Sequence, residues 1–460
     1  MNTEQQEKLG TAKVPGLLFS LAAPAILAQI INVLYNMVDR MYIGHIEGYG
    51  SLALTGVGIT APIIMCISAF AALVSMGGAP RAAIMMGRKE YEKAEKTLGN
   101  CTMMLIVAAI LLTILIELFS QDLLMAFGAS ENTIVYALDY IRIYALGTLF
   151  VQMTLGLNAF ISTQGYAKMS MLTTLIGAIC NIILDPFLIF GIGPFPILGV
   201  KGAALATILS QCLSMLWVLR FLTSDKSFLK IKISDFRLKK DIVLPCLALG
   251  VSPFVMQFTE SILSISFNTS LLKYGGDVAV GAMTILTSVM QFSMLPLQGL
   301  SQGSQPIVSY NFGAGNLDRV KQSFKCLLIA CLIYSTSLWA ICEFIPSTVV
   351  SIFTNNEVLM AYTIKVLRIY MATSCLFGAQ IACQQTFIAL GNAKNSLFLA
   401  LLRKVILLIP LIFILPHFFS TMEMKTIAVY LAEPIADFLA VCSTVTMFTR
   451  YFRKIMEKKI

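Results

Sequence analysis

Residues 101–119 read CTMMLIVAAILLTILIELF, and the only charged side chain among them is Glu117. At about 1.5 Å of rise per helical residue, such a run crosses most of the roughly 30 Å of bilayer hydrocarbon. Apolar runs of this kind recur along all 460 residues, separated by charged or turn-rich breaks. Their expected limits are 15–43, 52–79, 98–118, 133–160, 167–190, 198–222, 241–268, 278–303, 322–344, 357–387, 395–416 and 426–449. They predict an all-α integral membrane protein with twelve transmembrane helices. Composition agrees. Hydrophobic residues make up 57% of the chain and charged ones 12%, with a mean hydropathy of +0.81. A soluble domain carries about twice that charged fraction.

The formal net charge of +9 sits in particular loops. Arg81, Arg88, Lys89, Lys93 and Lys96 lie between the second and third runs, and Lys226, Lys230, Lys232, Arg237, Lys239 and Lys240 between the sixth and seventh. Arg319 and Lys321 follow the eighth run, and Arg450, Arg453, Lys454, Lys458 and Lys459 end the chain. The alternate loops hold little beyond Lys201, Lys273 and Lys425. The positive-inside rule therefore places both termini in the cytoplasm, which an even number of spans also requires. No run alternates basic and aromatic residues, so nucleic-acid binding is not expected. The polar segment Met1–Lys13 lacks the pattern of a signal peptide, and the first run is expected to persist as a span. Eleven cysteines without a CxxC pair, mostly inside apolar runs, indicate neither a disulfide framework nor a zinc site. His45 and His417, far apart near outer loops, read as interfacial side chains.

The chain also repeats itself. A shift of 226 takes Pro80 of GGAPR to Pro306 of GSQPI, and Gly87 to Gly313. It carries Ile141-Arg142-Ile143-Tyr144 onto Leu367-Arg368-Ile369-Tyr370, Gly165-Tyr166-Ala167-Lys168 onto Gly391-Asn392-Ala393-Lys394, and Ala206 onto Ala432. Six spans per half give both halves the same orientation, a parallel repeat about an axis normal to the membrane. The expected plan is two pseudo-symmetric six-helix bundles: an N-lobe over 1–222, a cytoplasmic linker over 223–240 and a C-lobe over 241–460. A cleft between two such bundles suits alternating access. The shared Pro and Gly positions mark bends and close packing, and Arg142 and Arg368 are expected to snorkel or pair near helix ends.

Ionisable residues inside the spans each need a reason, since a charge in hydrocarbon costs at least about 2.5 kcal/mol. Asp39 lies in INVLYNMVDRMYIGH and Asp185 in CNIILDPFLIF, with Asn181 one turn before it on the same face. Pro186 cannot donate to the carbonyl of Ile182. Carboxylate, amide and carbonyl oxygens suit a hard cation, and Thr207 of GAALATILS adds a hydroxyl. Under the shift of 226, Asp39 falls near Ile265 or Asn268 and Asp185 near Ile409 to Leu411. The scaffold repeats and the acids do not, which points to function. The bland alternatives are an Asp39–Arg40 pair at the interface and a helix-terminal carboxylate at Asp185. Glu260 in QFTESILSI reads either as a second cation or substrate site or as a packed, neutral carboxyl. Glu433 and Asp437 in LAEPIADFLA leave the same choice open. Glu117 and Glu343 read as interfacial. The 24 Met and 29 Phe residues suit an adaptable apolar cavity, although packing and lipid contact are their commoner use.

NMVDRMYIGH, NIILDPFLIFG, GAALAT, the TQGYAK and ALGNAK loops and AEPIAD together resemble the multidrug and toxic compound extrusion (MATE) transporters, over essentially the whole chain. The likeness is greatest to the family's bacterial DinF/MepA-like branch. The resemblance implies export driven by inward movement of H⁺ or Na⁺, with a cation site at Asp39, Asn181, Asp185 and Thr207. It also implies a cavity lined by Tyr140 and Asn158, and a span-seven acid at Glu260. Where some relatives have an acid in span ten, this chain has Gln380, Gln384 and Gln385.

The resulting expectation is a cation-coupled antiporter of bulky cationic amphiphiles, not an enzyme, in a bacterial inner membrane. It needs no cofactor beyond the coupling ion, has small amphiphilic molecules and the bilayer as partners, and works as a monomer. No GxxxxGK[ST] loop accompanies it, as an ATPase would require. A flippase of lipid-linked saccharide precursors shares the broad architecture but calls for a cationic cavity. An intramembrane aspartyl enzyme calls for a GxGD-type setting, and a channel for a filter such as TVGYG.

Overall fold

The computed structural model describes residues 2–354 and 356–457, the side chains of 2–6 and 261 excepted. Met1, Lys458 and Lys459 lie outside the described residues. Every regular element among those described is helical, and they form twelve spans in two bundles. In the first bundle these are Val14–Gly44, Gly50–Gly87, Tyr91–Ala126, Ile134–Leu146 with Thr148–Thr163, Ala167–Phe190 and Val200–Thr223. In the second, Lys240–Gly313 holds spans seven and eight, followed by Leu317–Phe344, Glu357–Met371 with Ser374–Ala389, Ala393–Phe418 and Met422–Glu457. Several helices outrun the apolar stretches that predict them. Span three begins at Tyr91 rather than near 98, because its polar first turns remain helical and pair Glu92 with Lys96 four residues on. Spans seven and eight show the reverse, an expected loop at 269–277 that shrinks to one residue. Gly276, at φ 65° and ψ −161°, breaks the helix in a region open essentially to glycine alone.

The repeat extends to the bends. Span four turns by 58° at Gly147 and span ten by 42° just after Met371, and 147 + 226 is 373. At Gly147 the reason is steric, since a Cβ there would lie 2.2 Å from Ile208.

The two bundles meet through glycine, and symmetrically. A Cβ on Gly77 of span two would stand 1.9 Å from the carbonyl oxygen of Cys246 in span seven, and one on Gly303 of span eight 2.5 Å from the amide of Ala22 in span one. Gly87 faces the carbonyl of Tyr310 at 2.0 Å, and Gly313 faces that of Ile84 at 2.0 Å. The shift of 226 relates 77 to 303, 84 to 310 and 87 to 313, so each contact has its image in the other half. All of them fall in the half of the span nearest the basic loops. The bundles are closed against each other at that end, and Phe70 against Phe254, at 5.1 Å, continues the contact towards the middle of the spans.

Two tethers reinforce this end. The N-terminal helix Asn2–Thr11 leaves the first bundle and docks on the second, burying Leu9. Asn311 and Arg319 donate to the carbonyl of Leu9 at 2.9 and 3.2 Å, and Arg319 to that of Ala12 at 2.8 Å. The segment between spans six and seven is fastened to the first bundle. The Oε1 of Gln164 accepts from Ser227 and from the amides of Phe228 and Leu229, and the Oδ1 of Asn100 accepts from the amide of Lys239.

Closing the bundles this tightly needs hydrogen at Gly77, and this gives a test. Gly77→Leu should part them at the basic end and raise maleimide labelling of Cys246, followed by peptide mass spectrometry, about tenfold, the change that about 1.4 kcal/mol makes. Unchanged labelling would show that the contact does not hold the closed arrangement.

Candidate functional site

Span one carries Asp39 and span five Asp185, and the packing of these helices turns both carboxyls inward. Asp39 is 7% exposed and Asp185 is fully buried. The two side chains lie within electrostatic reach of each other. Asn181, one turn before Asp185, donates its amide to the Asp185 carboxyl at 3.1 Å. Three oxygens of this group, Asp39 Oδ1, Asn181 Oδ1 and Asp185 Oδ2, are buried with no hydrogen-bond partner. Orphaned buried oxygens call for an unplaced proton, ion or water. The set is all-oxygen and acidic, the chemistry that a proton or a hard monovalent cation takes.

Arg40 is exposed and forms no ion pair with Asp39, so the interfacial-pair alternative does not describe this site. Nor is Asp185 helix-terminal, because its helix runs through Pro186 to Phe190. Tyr140 and Thr207 stand alongside. The Tyr140 hydroxyl lies near Thr207, whose Oγ1 donates to the carbonyl of Ala203 at 3.0 Å. Tyr35, one turn before Asp39 on span one, also lies within electrostatic reach of both acids. Sequence reading missed it, although its i, i+4 spacing from Asp39 was the available signal.

Asn158 lies towards the other end of these spans, and its Oδ1 is a further buried oxygen with no hydrogen-bond partner. Its amide donates to the carbonyl of Ser170 at 3.2 Å, near the start of span five. Ser170 lies fifteen residues before Asp185, about 22 Å along the helix.

The second bundle holds a different arrangement. Glu433 and Asp437 on span twelve are buried, and both are bonded by one basic side chain. Arg403 of span eleven bonds Asp437 through Nε and Glu433 through Nη2, the latter at 3.2 Å, and lies over the ring of Phe377. Its neighbour Lys404, nearly buried, is ion-paired with Glu260 and donates to the carbonyl of Met256 at 2.8 Å. Glu260 is thus neither packed nor alone: its side chain is 58% exposed and already paired with a cation. Both basic residues ride on a π-helical segment, Leu402–Leu408, a distortion frequent at functional sites. A search of the sequence for carboxylates passes over them. The overlooked signal was their cost, because two adjacent cations in an apolar run need partners as acids do. On span ten, Gln384 donates to the sulfur of Met256 and Gln380 is buried with Oε1 unpartnered.

Arg403 is the shared counter-charge of two buried carboxylates, so its loss is expected to be severe. Arg403→Ala should lower stability by about 3–5 kcal/mol, read as a large drop in thermal midpoint. Arg403→Ala with Glu433→Gln and Asp437→Asn should recover much of it. Equal melting of the wild-type and single-variant proteins would contradict the pairing.

Three comparisons bear on this geometry. The sequence model of the MatE family matches residues 24–187 and 253–455. The chain is similar to the multidrug export protein MepA of Staphylococcus haemolyticus (strain JCSC1435), with 25% identity over 422 residues, 92% of this chain and 91% of that protein. In fold it is similar to a MATE crystal structure in the bent conformation, at TM-score 0.90 and 21% identity, covering 99% of this chain and 98% of the other. It is also similar to an outward-facing MATE family transporter of the MOP superfamily, at TM-score 0.88 and 20% identity, covering 98% and 99%.

Proposed function

The chain belongs to the MatE family of membrane transporters, and from that premise we propose that it exports cationic amphiphiles in exchange for H⁺ or Na⁺. The observation that carries this reading is the Asp39–Asn181–Asp185 group, two buried carboxyls with orphaned oxygens and no basic side chain in an ion pair with either. Two ionised carboxylates cannot stay together in so apolar a place, so the group must hold a proton or a metal cation in every long-lived state.

The cycle then follows from which end is open. In the arrangement described here the bundles are closed at the basic end, which the positive-inside rule assigns to the cytoplasm. The acid pair loads its cation from outside. Neutralised, spans one and five settle against each other, and substrate affinity falls on that side. When the bundles rock and open inward, the cation leaves to the cytoplasm and the site again accepts a cationic substrate. The exchange runs on differential affinity for the two states. One charge moving down a 100 mV potential releases about 2.3 kcal/mol, enough for a concentration ratio near fifty. The two residues most like a pyrophosphate clamp, Arg403 and Lys404, are both engaged by carboxylates, which disfavours a lipid-linked saccharide as cargo.

Proteoliposomes loaded with ethidium test the proposal, with the pH and Na⁺ gradients imposed separately. The wild-type protein should show gradient-driven movement against the dye gradient, and Asp39→Asn with Asp185→Asn should lose at least about a hundredfold of the coupled rate, as an essential interaction does. Undiminished coupled efflux in that variant would refute the site, and translocation of a lipid-linked precursor without dye transport would refute the substrate class.

A further inference from the structure

We propose that Lys404 is a tethered competitor for the substrate-binding carboxylate Glu260. It occupies Glu260 between transport cycles, and a cationic substrate must displace it. This rests on the reading of the chain as an exporter of cationic amphiphiles, and adds a residue that sets which of them are accepted.

The position of Glu260 is the first argument. It lies fourteen residues after Cys246, close to four helical turns of about 3.6 residues. It therefore shares a side of span seven with the residue that meets Gly77 in the opposite bundle. Nearer the basic end the span is sealed by Cys246 and by Phe254 against Phe70, whereas further along the Glu260 side chain is 58% exposed. A carboxylate exposed at this depth fits an aqueous cleft between the bundles and not hydrocarbon.

The second argument is the asymmetry of the pair. Against the exposed Glu260, the Lys404 side chain is only 6% exposed. The ammonium reaches Glu260 from behind, and the Met256 carbonyl already gives it a second acceptor. A ligand approaching from the cleft meets the open face of the carboxylate first. Exchanging one ammonium for another on a half-hydrated carboxylate costs little, since such pairs are weak in water.

Charge balance supplies the third. Arg403 is shared by Glu433 and Asp437, so with both acids ionised that pair has one negative charge too many, and Asp437 Oδ2 has no partner. Lys404 lies within electrostatic reach of both acids. Released from Glu260, its ammonium can turn towards this surplus charge. The cluster then holds three carboxylates against Arg403, Lys404 and the substrate cation, and is neutral. With no substrate present it carries one net negative charge. Lys404 therefore has a favourable place to go only when a cation replaces it. The widened π-helical turn Leu402–Leu408 supports the backbone at this residue. Small hydrophilic cations bring an ammonium and nothing more, and they lose to the tethered amine. Amphiphiles add apolar contacts and win.

Ethidium binding to purified protein, followed by fluorescence polarisation, tests the idea with the variants Lys404→Gln, Glu260→Gln and both together. Lys404→Met, which keeps the side chain's length without its charge, takes the place of Lys404→Gln if that variant fails to insert. Removing the competitor should tighten ethidium binding at least about fivefold, the lower end of ordinary site coupling. It should let tetraethylammonium compete where it does not in the wild-type protein. In the Glu260→Gln background the same substitution should change nothing. Unaltered affinity in Lys404→Gln and Lys404→Met would overturn the proposal. So would a gain that persists with Glu260→Gln, because the effect would then be a general field and not competition at one carboxylate. Absence of ethidium binding and transport in the wild-type protein would instead sink the functional reading, and this inference with it.

Discussion

A carboxylate inside a bilayer must hold a proton, a mobile cation or a fixed counter-charge, and the two halves of this chain meet that constraint differently. In the first half, Asp39 and Asp185 face each other beside Asn181, and among the described residues no basic side chain forms an ion pair with either. In the second, Glu433, Asp437 and Glu260 are met by Arg403 and Lys404. The first solution has to be completed from solution, and a group completed in that way senses the ion gradient. The second is largely completed by the chain itself. The asymmetry lies on a scaffold whose symmetry is otherwise close, down to paired glycine contacts at 77 and 303 and at 87 and 313.

Those contacts explain why one end of the molecule can close at all. Helices that meet backbone to backbone need hydrogen where others carry a methyl, and the duplicated glycines supply it on both sides of the axis. Packed surfaces of this kind switch between discrete arrangements and are not continuously deformable. Cation binding on spans one and five can therefore bias the whole bundle, because span one also carries Ala22, the partner of Gly303. Arg319 and Asn311 hold the N-terminal helix across the same junction, tying the start of the first bundle to the second.

Most of this architecture was legible in the sequence. Twelve apolar runs, a constant shift of 226 and the unduplicated acids are one-dimensional facts, and the Asn181–Asp185 bond follows from helical spacing alone. What was not legible depends on distant residues. Nothing local joins Arg403 to Asp437 or Lys404 to Glu260, 144 positions away, and a π-helical turn leaves no periodic trace in so short a segment. The contact made by Asn158 was hidden for the same reason. Its position along span four only acquires meaning once span five is packed beside it, and there it meets Ser170. The extent of the helices was underestimated where charged turns such as Glu92 to Lys96 continue the helix past the hydrocarbon.

The central claim is that the acids of the first half exchange the coupling ion while those of the second do not. Calorimetric titration of ethidium into the purified protein, in buffers of different ionisation enthalpy and with Na⁺ present or absent, counts the cation released on binding. We expect release of H⁺ or Na⁺ from the wild-type protein, and none from Asp39→Asn with Asp185→Asn, even where dye binding persists. Undiminished release from that variant would place the exchangeable cation elsewhere and contradict the claim.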